Sequence, residues 1–140
     1  MNRDSRGWFG PSWLVGLIVA VGLGGWTGAA ESAHDFEVVD SDLVYLGKAT
    51  YPKAPATIRA DDVWAAIPEY KKILDNDLGE DDPEYHLLMK KASERFAKAL
   101  EREAKREGYD LIAEAGAVVS GTGRPIPDAT QDMIDLVTRN

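Results

Sequence analysis

The side chains able to do chemistry in this sequence are few, and their spacing completes no set. His86 has Asp82 four residues before it and Lys90 four after, so a helix would carry all three on one side. A metal ion needs more donors of the right type, and a solvated helix histidine explains the residue without one. His34 is the other histidine, and cysteine is absent. The run Asp75, Asp77, Glu80, Asp81, Asp82 matches a calcium loop in charge only, because Gly79 comes too early after Asp75 and no glutamate closes the loop. A solvated acidic loop is the simpler account. Ser120-Gly-Thr-Gly-Arg124 lacks the glycine-to-lysine spacing of a phosphate-cradling loop and reads as a flexible link. With no nucleophile beside a base, no metal cluster and no phosphate loop, the sequence points away from an enzyme and asks for no cofactor.

What remains is apolar recognition. Trp64, Tyr70, Tyr85 and Phe96 share the apolar sides of the expected helices with Leu88 and Leu100. These six are read first as a packing face, inside the fold or between subunits, and second as a face that contacts a client protein.

The elements that must position them are set by periodicity and breakers. Phe36–Val39 and Leu43–Leu46 are β-prone pieces, and Lys48, Pro52 and Pro55 break up the chain after them, so residues 31–55 read as an extended arm whose partner the sequence does not name. Ala56–Ala60 is a brief strand. Asp61-Asp62 then offers an N-cap for a helix carrying Val63, Ile67, Tyr70, Ile73 and Leu74, which Pro68 must kink or restart. Asp82-Pro83 starts a second helix in which Tyr85, Leu88, Ala92, Phe96, Ala99, Leu100 and Ala104 recur every three or four residues, up to a stop at Gly108. From Glu84 to Glu107 it would run about 36 Å at roughly 1.5 Å per residue, long enough to want a partner helix. Tyr109–Ala113 and Ala117–Ser120 read as a hairpin turning at Gly116. Asp128 and Gln131 read as a capping box for a last helix whose Ile134 and Val137 would press onto Leu111-Ile112 and Val118-Val119. The expected fold class is α+β, a small β body with a projecting helical hairpin over about residues 62–107 and a C-terminal helix.

The N-terminus carries a different signal. Arg3 and Arg6 precede a stretch with no charged residue until Glu31, densest in apolar residues from Trp13 to Leu23 and ending in Gly24-Gly25 and small residues. Residues 1–30 therefore read as a secretory signal with cleavage near Ala30 or Ala33; the alternative is an uncleaved membrane anchor, with Trp13 and Trp26 at the two interfaces. On either reading the rest of the chain is exported. The 140-residue chain has room for one domain, and its net charge of -8 disfavours nucleic acid as a partner. Without cysteine no disulfide can staple the fold, so a core or an oligomer must hold it.

From Ala56 onward the sequence resembles the Skp/OmpH family of periplasmic chaperones. The resemblance rests on Arg106-Glu-Gly-Tyr-Asp-Leu-Ile-Ala113, Gly116-Ala-Val-Val119 and Pro127-Asp-Ala-Thr-Gln-Asp-Met-Ile-Asp-Leu-Val137 at the C-terminal end. At the other end it rests on Ile58-Arg-Ala-Asp-Asp-Val63 through Ile67-Pro-Glu-Tyr-Lys-Lys-Ile73. It implies a homotrimer in which strands of three chains form a central body and paired helices enclose unfolded exported or outer-membrane proteins without ATP. It also implies a periplasmic location. Three features depart from that pattern: the helical hairpin is short, the charge is acidic, and Phe36–Leu46 adds an arm. A reading of a different class is a structural or adaptor subunit of an envelope complex, pairing through that arm and facing the periplasm from a membrane-anchored N-terminal helix.

Overall fold

The computed structural model of the protein describes residues 34–139, so the signal or anchor reading of residues 1–30 lies outside the described residues. Among the described residues five short strands form, β1 (Phe36–Val38), β2 (Val44–Gly47), β3 (Pro55–Ile58), β4 (Leu111–Glu114) and β5 (Val118–Ser120). The α-helices among the described residues are α1 (Ala60–Ala66), α2 (Pro68–Asp75), α3 (Pro83–Glu107) and α4 (Thr130–Thr138). The fold is α+β, and the described residues contain two small sheets and no closed barrel.

β4 is the centre of a three-stranded sheet, with β2 antiparallel on one side and β3 parallel on the other. Its side chains alternate between two cores, as the twofold period of a strand dictates. Ile112 faces a large cluster with Ala56, Ile58, Val63, Ile67, Phe96, Leu100, Met133 and Val137, drawn from β3 and all the helices but α2. Leu111 and Ala113 face a smaller one with Phe36, Ala117 and Val118. A strand covered on both faces has to be apolar throughout, which Leu111-Ile-Ala113 is.

The expected C-terminal hairpin does not form a ladder. β4 and β5 are joined by a tight turn in which Gly116 takes a φ of 90° and Ala117 N–H bonds the carbonyl of Glu114 at 2.9 Å. Each strand then pairs with the arm instead: β5 with β1, through Phe36 opposite Ser120 and Val38 opposite Val118, and β4 with β2, through Val44 opposite Ala113 and Gly47 opposite Leu111. Residues 36–47 thus run antiparallel along the whole of 111–120, interrupted by a turn of 3-10 helix at Ser41–Leu43. The arm is part of the sheet.

The helices begin and end largely where breakers put them, though not with the caps expected. Pro68 restarts the chain after Ile67, whose extended ψ of 123° separates α1 from α2. Gly108, in the left-handed region, closes α3 with its N–H on the carbonyl of Ala104 at 2.8 Å. Asp82 precedes Pro83 as expected, yet its Oδ2 accepts from Gly79 N–H at 2.9 Å rather than capping α3. The capping box also fails: Asp128 Oδ1 accepts from Thr130 N–H at 2.9 Å and from the Thr130 hydroxyl, while Gln131 bonds Asp135. Met133 and Val137 of α4, both fully buried, join Ile112 in the larger core; Val119 is exposed, so α4 does not press on the β5 pair.

The partner that α3 wants is supplied by its own chain. Leu88, Ala92, Phe96, Ala99, Leu100, Glu103 and Ala104 form its buried stripe, and α1, α2 and α4 pack along it. α2 and α3 are a helical pair as expected, but the length of α3 is covered from Leu88 to Ala104. The helices of other subunits, which the trimeric resemblance implies, are not needed to bury it.

Candidate functional site

Of the six residues singled out from sequence, three come together at one place. Trp64 of α1 stacks on Phe96 of α3, with centroids 5.1 Å apart and planes 20° from parallel, and Tyr70 of α2 meets Trp64 edge-on at 5.7 Å. Phe96 is buried, whereas Trp64 and Tyr70 are only half-buried. Their outer edges line a shallow open groove with Met89 and Asp61. Leu88 and Leu100 are buried on the stripe of α3, and Tyr85 sits apart beside His86.

The break between α1 and α2 explains why the groove lies there. Pro68 forces α2 to turn away from α1, so that Trp64 and Tyr70, which a straight helix would set about 120° apart around its axis, face each other across the bend. Behind them, Tyr45 of β2 meets Phe96 edge-on at 5.8 Å and donates its hydroxyl to Glu114 Oε2 at 2.7 Å. Glu114 Oε2 also accepts from Ala60 N–H at 3.0 Å, satisfying an amide at the start of α1. Burial first, and then the bond to Glu114, push the Tyr45 phenol up to about 12. It is a fixed donor that holds the β2 edge and the aromatic stack together.

The groove has an apolar floor of mixed softness, two rigid rings and one flexible thioether, with a single carboxylate on its rim. Such a surface grips apolar side chains of varied shape, and the carboxylate accepts from a cationic or amide group beside them. Among the described residues no group of three or more His, Asp or Glu side chains is arranged to hold a metal ion. His86, the one histidine with metal-like spacing, packs on Tyr85 at 5.5 Å. Arg124 of the glycine-rich link is tied to Asp35 at 2.7 Å and lies over the Phe36 ring.

Sequence reasoning misses a second concave surface, on another side of α3. Lys91, Arg95, Lys98 and Arg102 of α3 and Arg139 beyond α4 line a groove together with Glu69 and Glu94. Arg95 is committed there: its guanidinium takes Glu69 in two hydrogen bonds of 2.9 and 2.8 Å and reaches the carbonyls of Val137 and Arg139 at 3.3 Å. The bond from Arg95 holds the Glu69 carboxyl below the usual carboxylate range. The signal is present as a basic repeat at spacings of four, three and four on α3, but it reads like any solvated helix face until the neighbouring helices are placed.

Comparison with protein-family models, curated proteins and solved structures finds no match. Among the described residues no helix is long and apolar enough to cross a membrane.

Proposed function

We propose that this chain is an exported, ATP-independent holdase-type binding protein, which holds apolar segments of unfolded envelope or outer-membrane proteins in the groove of Trp64, Tyr70, Met89 and Asp61. The observation that carries the reading is that two aromatic rings of the core stack keep their outer edges at the surface, beside a methionine. Rigid rings give contact area at low entropic cost and methionine adapts its shape, which suits a site taking many sequences weakly. On this reading the chain acts in the periplasm as a homotrimer. Because α3 is covered within the chain, the subunits would meet through the outer edge of β2 rather than through a helical seam. The opposite edge, β3, is already covered, since Thr57 N–H bonds the carbonyl of Pro127 and Ala129 N–H bonds that of Thr57, each at 2.9 Å.

That same outer edge supports the second reading, an adaptor subunit, because β2, paired on one side only among the described residues, can take a strand from a larger complex. Aggregation suppression of an unfolded outer-membrane protein separates the two. For a holdase, the full chain suppresses aggregation and Tyr70→Ser or Met89→Glu reduces the effect while the fold is retained. An adaptor leaves the client to aggregate whichever variant is present.

A further inference from the structure

The charge of this acidic protein is segregated. Five basic side chains, Lys91, Arg95, Lys98, Arg102 and Arg139, line one groove against two carboxylates, Glu69 and Glu94. Only Arg95 and Glu69 are paired with each other; among the described residues Lys91, Lys98, Arg102 and Arg139 have no carboxylate within 4.0 Å. At the loop joining α2 to α3 the reverse holds. Asp75, Asp77, Glu80, Asp81, Asp82 and Glu84 are all exposed, and none has a basic partner within that distance among the described residues. The loop is held in shape by its own bonds, from Leu78 N–H to Ile73, from Asp82 N–H to Gly79, and from Gly79 N–H to the Asp82 carboxylate.

These surfaces cannot meet within one chain. Glu84 and Lys91 are about 10 Å apart along the rigid axis of α3, and Glu84 and Arg102 about 27 Å, at roughly 1.5 Å per residue. Two α3 helices laid antiparallel, however, bring each acidic tip opposite the basic groove of the other. Beside the tip, Leu74 and Leu87 are 58% and 52% exposed, the apolar surface such a contact would cover. We propose that the groove receives the acidic tip, Asp75–Glu84, of a second copy of this chain in a reciprocal, salt-sensitive pairing. This contact is separate from the client groove and from the β2 edge, and it does not rest on the holdase reading. Charge complementarity of this kind steers encounter and sets register, and it is screened by salt.

The test is sedimentation velocity of the full chain at low and high sodium chloride, with two charge-reversed variants made on exposed side chains. One carries Lys98→Glu and Arg102→Glu, the other Glu80→Lys and Asp81→Lys, and circular dichroism checks that both keep the native fold. The wild type is expected to self-associate at low salt, with affinity falling about tenfold or more at high salt. Each variant alone should lose that step, and an equimolar mixture of the two should regain it. An assembly state that does not change between low and high salt, whether monomer or β2-edge oligomer, or a mixture that associates no better than its components, would overturn the proposal.

Discussion

Arg95 of α3 holds Glu69 of α2 in a two-bond clamp whose side chains are 28% and 16% exposed, and the same guanidinium touches the carbonyls that end α4. One side chain therefore ties three helices. Arg95→Ala leaves the half-sheltered carboxylate without its donors and is expected to cost about 1–3 kcal/mol, read from urea unfolding. Arg95→Lys should recover only part of this, because a point charge cannot make both bonds. An unchanged midpoint in the alanine variant would show that the clamp is ornamental.

Gly47 has a φ of 96° where β2 meets β4, and a Cβ there would stand 2.1 Å from the carbonyl oxygen of Asp110 and 2.9 Å from Leu111 Cα. Neither atom can swing away, since both belong to the backbone at the central strand. Gly47→Ala should cost at least about 1–3 kcal/mol from overpacking, with the disfavoured φ adding to it. Gly123→Ala also takes a positive φ but meets nothing within 4 Å, so it separates strain from clash. Thermal melts should rank Gly47→Ala well below Gly123→Ala.

On α3 the apolar stripe makes a sharper comparison. Phe96 and Leu100 are 7% and 5% exposed within the single chain, so Phe96→Ala and Leu100→Ala should each destabilise by about 2–5 kcal/mol at any protein concentration. Glu101→Ala, on the exposed side, should stay within about 0.5 kcal/mol. If the cost of the core changes grew on dilution, the stripe would be an interface between subunits after all.

The parts legible in the sequence are those written by local rules. Pro68, Pro83 and Gly108 set helix limits by sterics, and the three-to-four spacing from Leu88 to Ala104 marks the buried side of α3. What escapes is long-range. The amide of Ala60 is satisfied by Glu114, 54 residues away, whereas the nearer Asp61-Asp62 suggests a cap that it does not make. The arm and the C-terminal strands likewise show matching short apolar runs, but nothing local says that 36–47 lies along 111–120 rather than each run folding on itself. The groove of Trp64 and Tyr70 is half legible: both rings stand out on the apolar helix sides, but the bend that turns them toward each other, and the presence of Met89, need the placed helices.

Acid titration should reveal one carboxylate that works against two others. Bonds from Arg95 lower the Glu69 carboxyl, and bonds from Thr130 lower that of Asp128. Groups lowered by folding stabilise the protein above their unfolded values and lose that contribution as pH falls through the folded ones. Glu103 behaves oppositely. It is fully buried, Oε1 receives one bond from Arg106 at 3.0 Å, and Oε2 lies 2.8 Å from the same nitrogen without hydrogen-bond alignment. Burial therefore outweighs the Arg106 charge and pushes its carboxyl above the usual carboxylate range. A raised group favours folding when protonated; its contribution is complete below the unfolded value and is lost as pH rises through the folded one. Glu103→Gln keeps the shape and removes the titration. The melting temperature of the variant minus that of the wild type should therefore increase as pH goes from about 4 to about 7, through the ordinary carboxylate range and above it. A difference that stays flat would mean that burial and the Arg106 charge cancel at this carboxylate, and one that falls with pH would mean that Arg106 governs it and that the Glu103–Arg106 pair is a stabilising ion pair at neutral pH.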